Sequence, residues 1–338
     1  MSDWSEPMNN NDRGILDSNA LPSTDADGRP IPVTIPIALA PGVRVIYTTR
    51  LGGLSVGDFG HLNLGGKKGD DPAAVAANRE ALAESVGAGL SLVSQVHSGT
   101  AIDADTVCHI NTPYGFDASG TQGVETDDPI AAKIDADGQV TSQRGIALGM
   151  FAADCLPVLM ADPAAGVIGA AHCGRRGLQR GVIGATVELM TLKGADPARI
   201  VATLGPAICG DCYEVGDRIA DEFDAQFPGS FTLSRFGKPG IDINHAALLE
   251  LERAGVPRGN VIDSRPRVTA ATQYLCEDAE LAELCDADGE GPSLDERIGL
   301  IRHSMCTLEN PLWFSHRRAA LAGKSREGRM LALIVRDE

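Results

Sequence analysis

Three short apolar runs, residues 145–151 (Gly-Ile-Ala-Leu-Gly-Met-Phe), 156–161 (Leu-Pro-Val-Leu-Met-Ala) and 166–171 (Gly-Val-Ile-Gly-Ala-Ala), follow one another with only a few residues between them. Runs this short and this uniformly apolar predict strands buried on both faces. Further strands are predicted over 43–49, 200–204 and 330–335. An Ala-rich helix is expected over 71–86, and helices over 216–227 and 245–254. An amphipathic helix over 178–193 is entered through the Gly-rich turn 173–177, so His172 sits where a strand feeds a helix. Strands alternating with helices make the pattern α/β.

The first thirty or so residues are rich in Asn, Asp, Ser and Pro and offer little apolar surface to offset their ordering entropy, so 1–32 reads as a loose tail. The remainder, 33–338, reads as one large catalytic domain. Within it, the acidic stretch 264–302 reads as a surface insertion. A net charge of -17 disfavours nucleic acid and anionic membranes as partners, and an anionic substrate would need a local basic pocket. The N-terminus lacks a basic segment followed by an apolar one, and no run of eighteen apolar residues occurs. With eight cysteines in a chain too long to need disulfides, a reducing, cytoplasmic setting is expected.

The borders of the apolar runs carry the chemistry. His97 closes Ser94-Gln95-Val96-His97, Cys155 follows Ala153-Asp154, and His172 opens His172-Cys173-Gly174. Any one of them alone fits a core or solvated residue. Together they outline a His/Cys/His metal site, and three nitrogen or sulfur ligands leave zinc a fourth, open position for water. Asp137 or Asp154 would orient a ligand histidine, unless either is a cap or turn residue. Arg50 and Arg176 lie in Gly-rich turns, where their guanidinium forks would suit phosphate, although each fits a surface ion pair equally well. Cys209-Gly210-Asp211-Cys212 reads as loop packing ahead of a redox pair or half a zinc site. Cys276, Cys285, Cys306 and His303 match no standard finger spacing.

Over roughly 43–338 the chain resembles the YfiH laccase-domain family. The resemblance is carried by Thr49-Arg50-Leu51-Gly52-Gly53, Leu62-Asn63-Leu64-Gly65, Gln95-Val96-His97, Ala136-Asp137, Ala153-Asp154-Cys155, His172-Cys173-Gly174-Arg175-Arg176-Gly177, Gly205-Pro206-Ala207-Ile208, Tyr213-Glu214-Val215 and Phe314-Ser315-His316-Arg317-Arg318, in that order. It implies a layered α/β fold of mixed β-sheets sandwiched by helices, as in YfiH and the CNF1-like cysteine hydrolases. It also implies zinc on His97, Cys155 and His172, with Arg50, Asn63 and Arg176 on substrate or phosphate. Ser315 or Arg317 of the 314–318 segment would line the pocket, unless that segment serves packing and a surface ion pair. Two residues depart from the family pattern: Cys173 replaces an Ala and Arg175 a Trp, which would make the pocket wall more basic and add a thiol.

The family resemblance implies a zinc-dependent purine nucleoside phosphorylase acting on a small nucleoside and phosphate, with adenosine deaminase and methylthioadenosine phosphorylase activities beside it. Two alternatives stay open. In one, Cys155 is a nucleophile with His97 or His172 as base, or the zinc itself acts, in an amide hydrolase that edits peptidoglycan precursors. In the other, the chain is a copper-dependent polyphenol oxidase. A multicopper cluster draws heavily on His-x-His pairs, whereas the chain has seven histidines and no such pair. Copper entering a His/Cys/His site in vitro would account for a weak oxidase activity.

Overall fold

The computed structural model describes residues 22–66, 69–107, 109–120 and 133–337. Along the chain run β1 (Thr34–Ala40), β2 (Val43–Thr48), β3 (Gly89–Val93), β4 (Ala101–Asp103), β5 (Gly115–Ala118), β6 (Gly138–Thr141) and β7 (Ile146–Ala152). They are followed by β8 (Leu156–Asp162), β9 (Val167–Cys173), β10 (Val201–Leu204), β11 (Phe231–Leu233), β12 (Pro239–Ile241), β13 (Val261–Ile262) and β14 (Met330–Arg336). Two six-stranded mixed sheets result, ordered β1-β2-β14-β7-β3-β5 and β13-β10-β8-β9-β6-β4, with β11-β12 a separate pair. The three apolar runs are β7 in one sheet and the antiparallel neighbours β8 and β9 in the other.

Successive strand residues point to opposite faces, and here both faces are buried. Leu331, Leu333 and Val335 of β14 pack with Leu82 and Val86 of the helix Pro72–Val86. Ala332 and Ile334, between them, face Leu159 and Ala161 of β8 and Ile168 and Ala170 of β9. On the far side, Val158, Met160, Val167 and Ala171 meet Val182, Ile183 and Val187 of the helix Val182–Leu192 and Leu251 of Ile243–Arg253. The layers are therefore helix, sheet, sheet, helices. Each fully buried Leu, Ile or Val contributes about 1.5–3 kcal/mol, which holds the sheets in fixed register beneath the site.

The helix expected over 71–86 starts with Asp71 accepting from the Ala73 N–H and Pro72 in the first turn, and ends at Gly87 with φ 72°. Instead of one helix over 178–193 there are two, Arg175–Gln179 and Val182–Leu192, separated at Gly181 with φ 75°. The break lets the short first helix press against the end of β9: a Cβ on Gly177 would lie 2.9 Å from the His172 carbonyl oxygen.

Residues 1–21 of the expected tail lie outside the described residues. The rest of it, 22–32, forms a turn in which the Ile31 N–H donates to the Ser23 carbonyl at 2.9 Å, and the chain enters β1 at Thr34. The acidic stretch 264–302 is not confined to the surface. Val268, Ala271, Leu275, Leu281, Leu284 and Leu294 recur at helical spacing and fill the core shared with β1 and β2. Among the described residues no helix is long and apolar enough to cross a membrane.

Candidate active site

His97 lies in the loop after β3, Cys155 in the turn between β7 and β8, and His172 near the end of β9. The antiparallel β8–β9 register sets Pro157 opposite His172 and Leu156 opposite Cys173, so Cys155 and His172 meet at one end of the sheet. One donor atom from each of His97, Cys155 and His172 falls within 4.8 Å of the others. Cys155 Sγ is 3.5 Å from His97 Nε2, and the two imidazoles meet edge to face at 4.9 Å. There is no room for a side chain beside them. A Cβ on Gly174 would lie 2.8 Å from both Cys155 Sγ and His97 Cδ2.

One carboxylate organises the cluster. Asp137 Oδ1 accepts from His172 Nδ1 at 2.8 Å and from the His97 N–H at 3.0 Å; Oδ2 accepts from the Ser98 hydroxyl at 2.7 Å and from the Val96 and Ser98 N–H groups. Bonding Nδ1 to a carboxylate leaves His172 Nε2 for the cluster. Burial alone would push the Cys155 thiol up, but the His172 imidazolium and hydrogen bonds from both histidines bring it down to about 6. Burial would likewise lower His172; the Cys155 thiolate and Asp137 outweigh it and hold the imidazole up at about 9. Asp137, pushed up by burial and down further by His172 and Ser98, sits at about 2.

Among the described residues, only His97 (φ 59°) and Asp154 (φ 95°) are non-glycines with positive φ. Such backbone costs about 1–3 kcal/mol where it persists, and here hydrogen bonds enforce it. Asp137 binds the His97 N–H while the Arg180 guanidinium binds its carbonyl. Asp154 Oδ1 accepts from the Thr307 and Ser315 hydroxyls at 2.6 and 2.7 Å, and its Oδ2 accepts from the Arg317 N–H at 2.6 Å. Of the two candidate orienting carboxylates, Asp137 is the one that holds His172. Asp154 ties the Cys155 turn to the C-terminal segment.

The cluster opens on a cavity of about 510 Å³, also lined by Gln95, Ser119, Phe151, Tyr213, His316, Arg317 and Arg329. Its volume lies within the roughly 300–1,000 Å³ typical of small-molecule sites. Arg317 lies over the Tyr213 ring and donates to the Glu214 carbonyl. His316 Nδ1 is 3.3 Å from Glu327 Oε1, which also pairs with Arg329 Nη2 at 2.5 Å, and the Glu327 carboxylate raises the imidazole above its ordinary value against the effect of burial. Gln95 accepts from the Phe151 N–H and donates to the Phe151 carbonyl, which fixes that ring's backbone.

Arg50 is not on the cavity wall. It is buried, bonded to Asp288 Oδ2 at 3.2 Å and stacked over Phe314. Arg176 is exposed on its short helix and also lies off the wall. Asn63 supports the wall from behind, accepting from the Gly65 and Arg329 N–H groups. Neither Cys173 nor Arg175 is on the cavity wall: Cys173 is buried towards the helix layer, and Arg175 bonds Gln179 along its own helix, although its charge reaches the Tyr213 hydroxyl. Phe151, Ser119, His316 and Arg329 went unread in sequence, although His316 adjoins Ser315 and Arg317 in a segment that was singled out.

The thiols regroup as well. Cys306 meets Cys209, Cys212 and Glu309, whereas Cys276 is exposed and Cys285 packs in the core between the sheets.

The model of the family described as multi-copper polyphenol oxidoreductase laccase matches residues 44–275. A purine nucleoside phosphorylase of Streptomyces griseus is 42% identical over 210 residues, covering 62% of this chain and 79% of the relative. An adenosine deaminase of an unknown prokaryotic organism is 37% identical over 148 residues, 43% of this chain and 56% of the relative. The solved structure of the Neisseria meningitidis protein NMB0706, family DUF152, superposes with a TM-score of 0.64 at 30% identity, over 91% of this chain and 100% of the other. With motifs, layered sheets and family match in agreement, the chain belongs to the YfiH/DUF152 laccase-domain family.

Proposed function

We propose that residues 33–338 form one catalytic unit, a zinc-dependent purine nucleoside phosphorylase that also deaminates adenosine and accepts methylthioadenosine. The observation that carries this reading is the meeting of a three-donor cluster with a cavity walled by two aromatic rings and three potentially cationic side chains, in a chain of net charge -17. Its relatives' names supply the substrate class.

Two nitrogens and a sulfur within 4.8 Å of one another would suit a single zinc, and all three residues line the cavity. Bound there by His97, Cys155 and His172, zinc would supply a Lewis acid that activates a water or phosphate oxygen. The chain's own residues do the rest. Phe151 and Tyr213 offer ring faces to a purine. Arg317 and Arg329 present guanidinium groups to phosphate oxygens. His316, its imidazolium favoured by Glu327, hands a proton to the purine as the glycosidic bond breaks, so the base leaves neutral. Asp137 keeps His172 in one tautomer throughout. Arg50 takes no part, being bonded to Asp288.

Two histidines and one cysteine make a one-metal donor set, so polyphenol oxidation is read as the chemistry of copper substituted into this site. A cysteine-nucleophile amide hydrolase is supported by one observation, the 3.5 Å contact of Cys155 Sγ with His97 Nε2, beside which the two histidines bring the thiol down to about 6.

The test is a chromatographic assay of adenosine and inosine with and without inorganic phosphate and chelator. Base release that needs phosphate and stops on chelation is expected, with phosphate-independent conversion of adenosine to inosine beside it. A zinc-loaded protein that turns over neither nucleoside overturns the reading. Amide hydrolysis that survives chelation would favour the cysteine nucleophile.

A further inference from the structure

We propose that Cys209, Cys212, Cys306 and Glu309 form a second metal site, structural rather than catalytic, whose ion is zinc. Cys209 and Cys212 share a tight turn, in which the Cys212 and Tyr213 N–H groups both donate to the Cys209 carbonyl at 3.0 Å. Cys306 reaches them from 94 residues away, through a parallel bridge between Ala207 and Cys306. The donor atoms of all four residues lie within 4.8 Å of one another. Ligands about 2.3 Å from a tetrahedral zinc stand ~3.8 Å apart, so the grouping has the size of a single-ion cage.

Glu309 separates a cage from mere thiol packing. Its side chain is 1% exposed, and a carboxylate buried that deeply needs a reason. Oε2 is held by the Arg302 and His303 N–H groups, both at 2.8 Å. That leaves Oε1 aimed at the sulfurs, 3.3 Å from Cys212 Sγ and 4.0 Å from Cys209 Sγ. Arg235 Nη1 touches the same oxygen at 2.8 Å. Arg235 satisfies the carboxylate but does not account for three sulfurs gathered around it. A dication does, and Arg235 then offsets one of the two negative charges left when three thiolates and a carboxylate surround Zn²⁺. The Cys209 N–H donates to Cys306 Sγ at 3.4 Å, as suits a thiolate sulfur. On binding, thiol protons leave to solvent and no electron moves. Cys209, half-buried on the wall of a neighbouring cavity with Cys306, gives the ion a way in.

All four coordination positions come from protein, so this ion has no place for substrate. Its effect is mechanical. It fastens the turn that ends at Tyr213 to the segment that carries Thr307, and these two residues wall the cavity and hold Asp154, respectively.

The test is zinc content by mass spectrometry on the full-length wild-type protein and its variants. About two ions per wild-type chain are expected, about one in Cys155→Ala, about one in Cys212→Ser, and none in the double variant. Unchanged zinc in Cys212→Ser, or a Cys209–Cys212 disulfide in the freshly purified protein, overturns the proposal. Because Cys212→Ser removes a buried group and risks misfolding, a second measurement uses the Cys155→Ala protein loaded with Co²⁺. Intense thiolate-to-cobalt charge-transfer bands are expected there, and their absence counts against the site.

Discussion

The His97/Cys155/His172 cluster and the Cys209/Cys212/Cys306/Glu309 cluster both draw on cysteine thiols and are joined by a hydrogen bond from the Ile208 N–H to the Asp154 carbonyl, yet they are built to opposite ends. In the proposed first site, the chain supplies three donors where the loop after β3 meets the end of the β8–β9 pair, and the cluster opens on a cavity. In the second, it supplies all four from two loops, with the fourth donor locked in place by backbone amides. Whether the protein withholds or provides that last ligand separates a site that can turn over substrate from one that can only hold loops together.

The contrast breaks most severely at Gly174. Gly174→Ala would place a methyl 2.8 Å from Cys155 Sγ and His97 Cδ2. It should cost about 10²-fold or more in kcat, since small displacements of reacting groups are that expensive, while the second site's metal is retained. Steady-state kinetics with metal analysis checks both halves. Asp137→Asn comes next. It removes the acceptor that fixes His172 and clips the 96–98 loop, and a loss of roughly 10–100-fold in metal affinity at the first site alone is expected, read by competition with a chelator.

Cys212→Ser sharpens the comparison from the other side. It should lower Tm by roughly 5 °C or more in a calorimetric scan and, by loosening the Tyr213 turn, raise the KM for nucleoside, while the metal of the first site is retained. Loss of the first site's metal as well would mean that the two clusters are not separate devices.

The smallest effect lies away from both. Arg297 and Arg50 hold Asp288, despite burial, down to about 2 from 3.8. A depressed carboxyl stabilises the fold above its unfolded pKa, so about 2 kcal/mol should be present above pH ~4 and fade as pH falls to ~2. Urea unfolding of Asp288→Asn should show a deficit at pH 6 that closes towards pH 2.5.

What sequence made visible follows the range of the interactions. Strands β7, β8 and β9 were legible because burial on both faces writes itself as continuous apolarity, and the helix Pro72–Val86 because its run is rich in alanine. Three- and four-residue strands such as β4 and β5 carry too few residues to show a period. The turn at Gly181 was overridden by an apolar pattern continuing through it. His97, Cys155 and His172 stood out because each lies in a compact motif bordering a loop or strand end. Arg50 reads as a phosphate ligand because its turn looks like an anion site, while Asp288, the partner it meets in the fold, is 238 residues away. Cys209 and Cys306 looked like separate loop residues for the same reason: a parallel bridge between distant segments leaves no local trace.

The most direct measurement is zinc content and phosphate-dependent release of base from inosine, taken together on Cys155→Ala protein. This variant is expected to lose one metal ion, keep the other, and lose turnover completely. Retention of full turnover, with or without that metal, would contradict the proposed site.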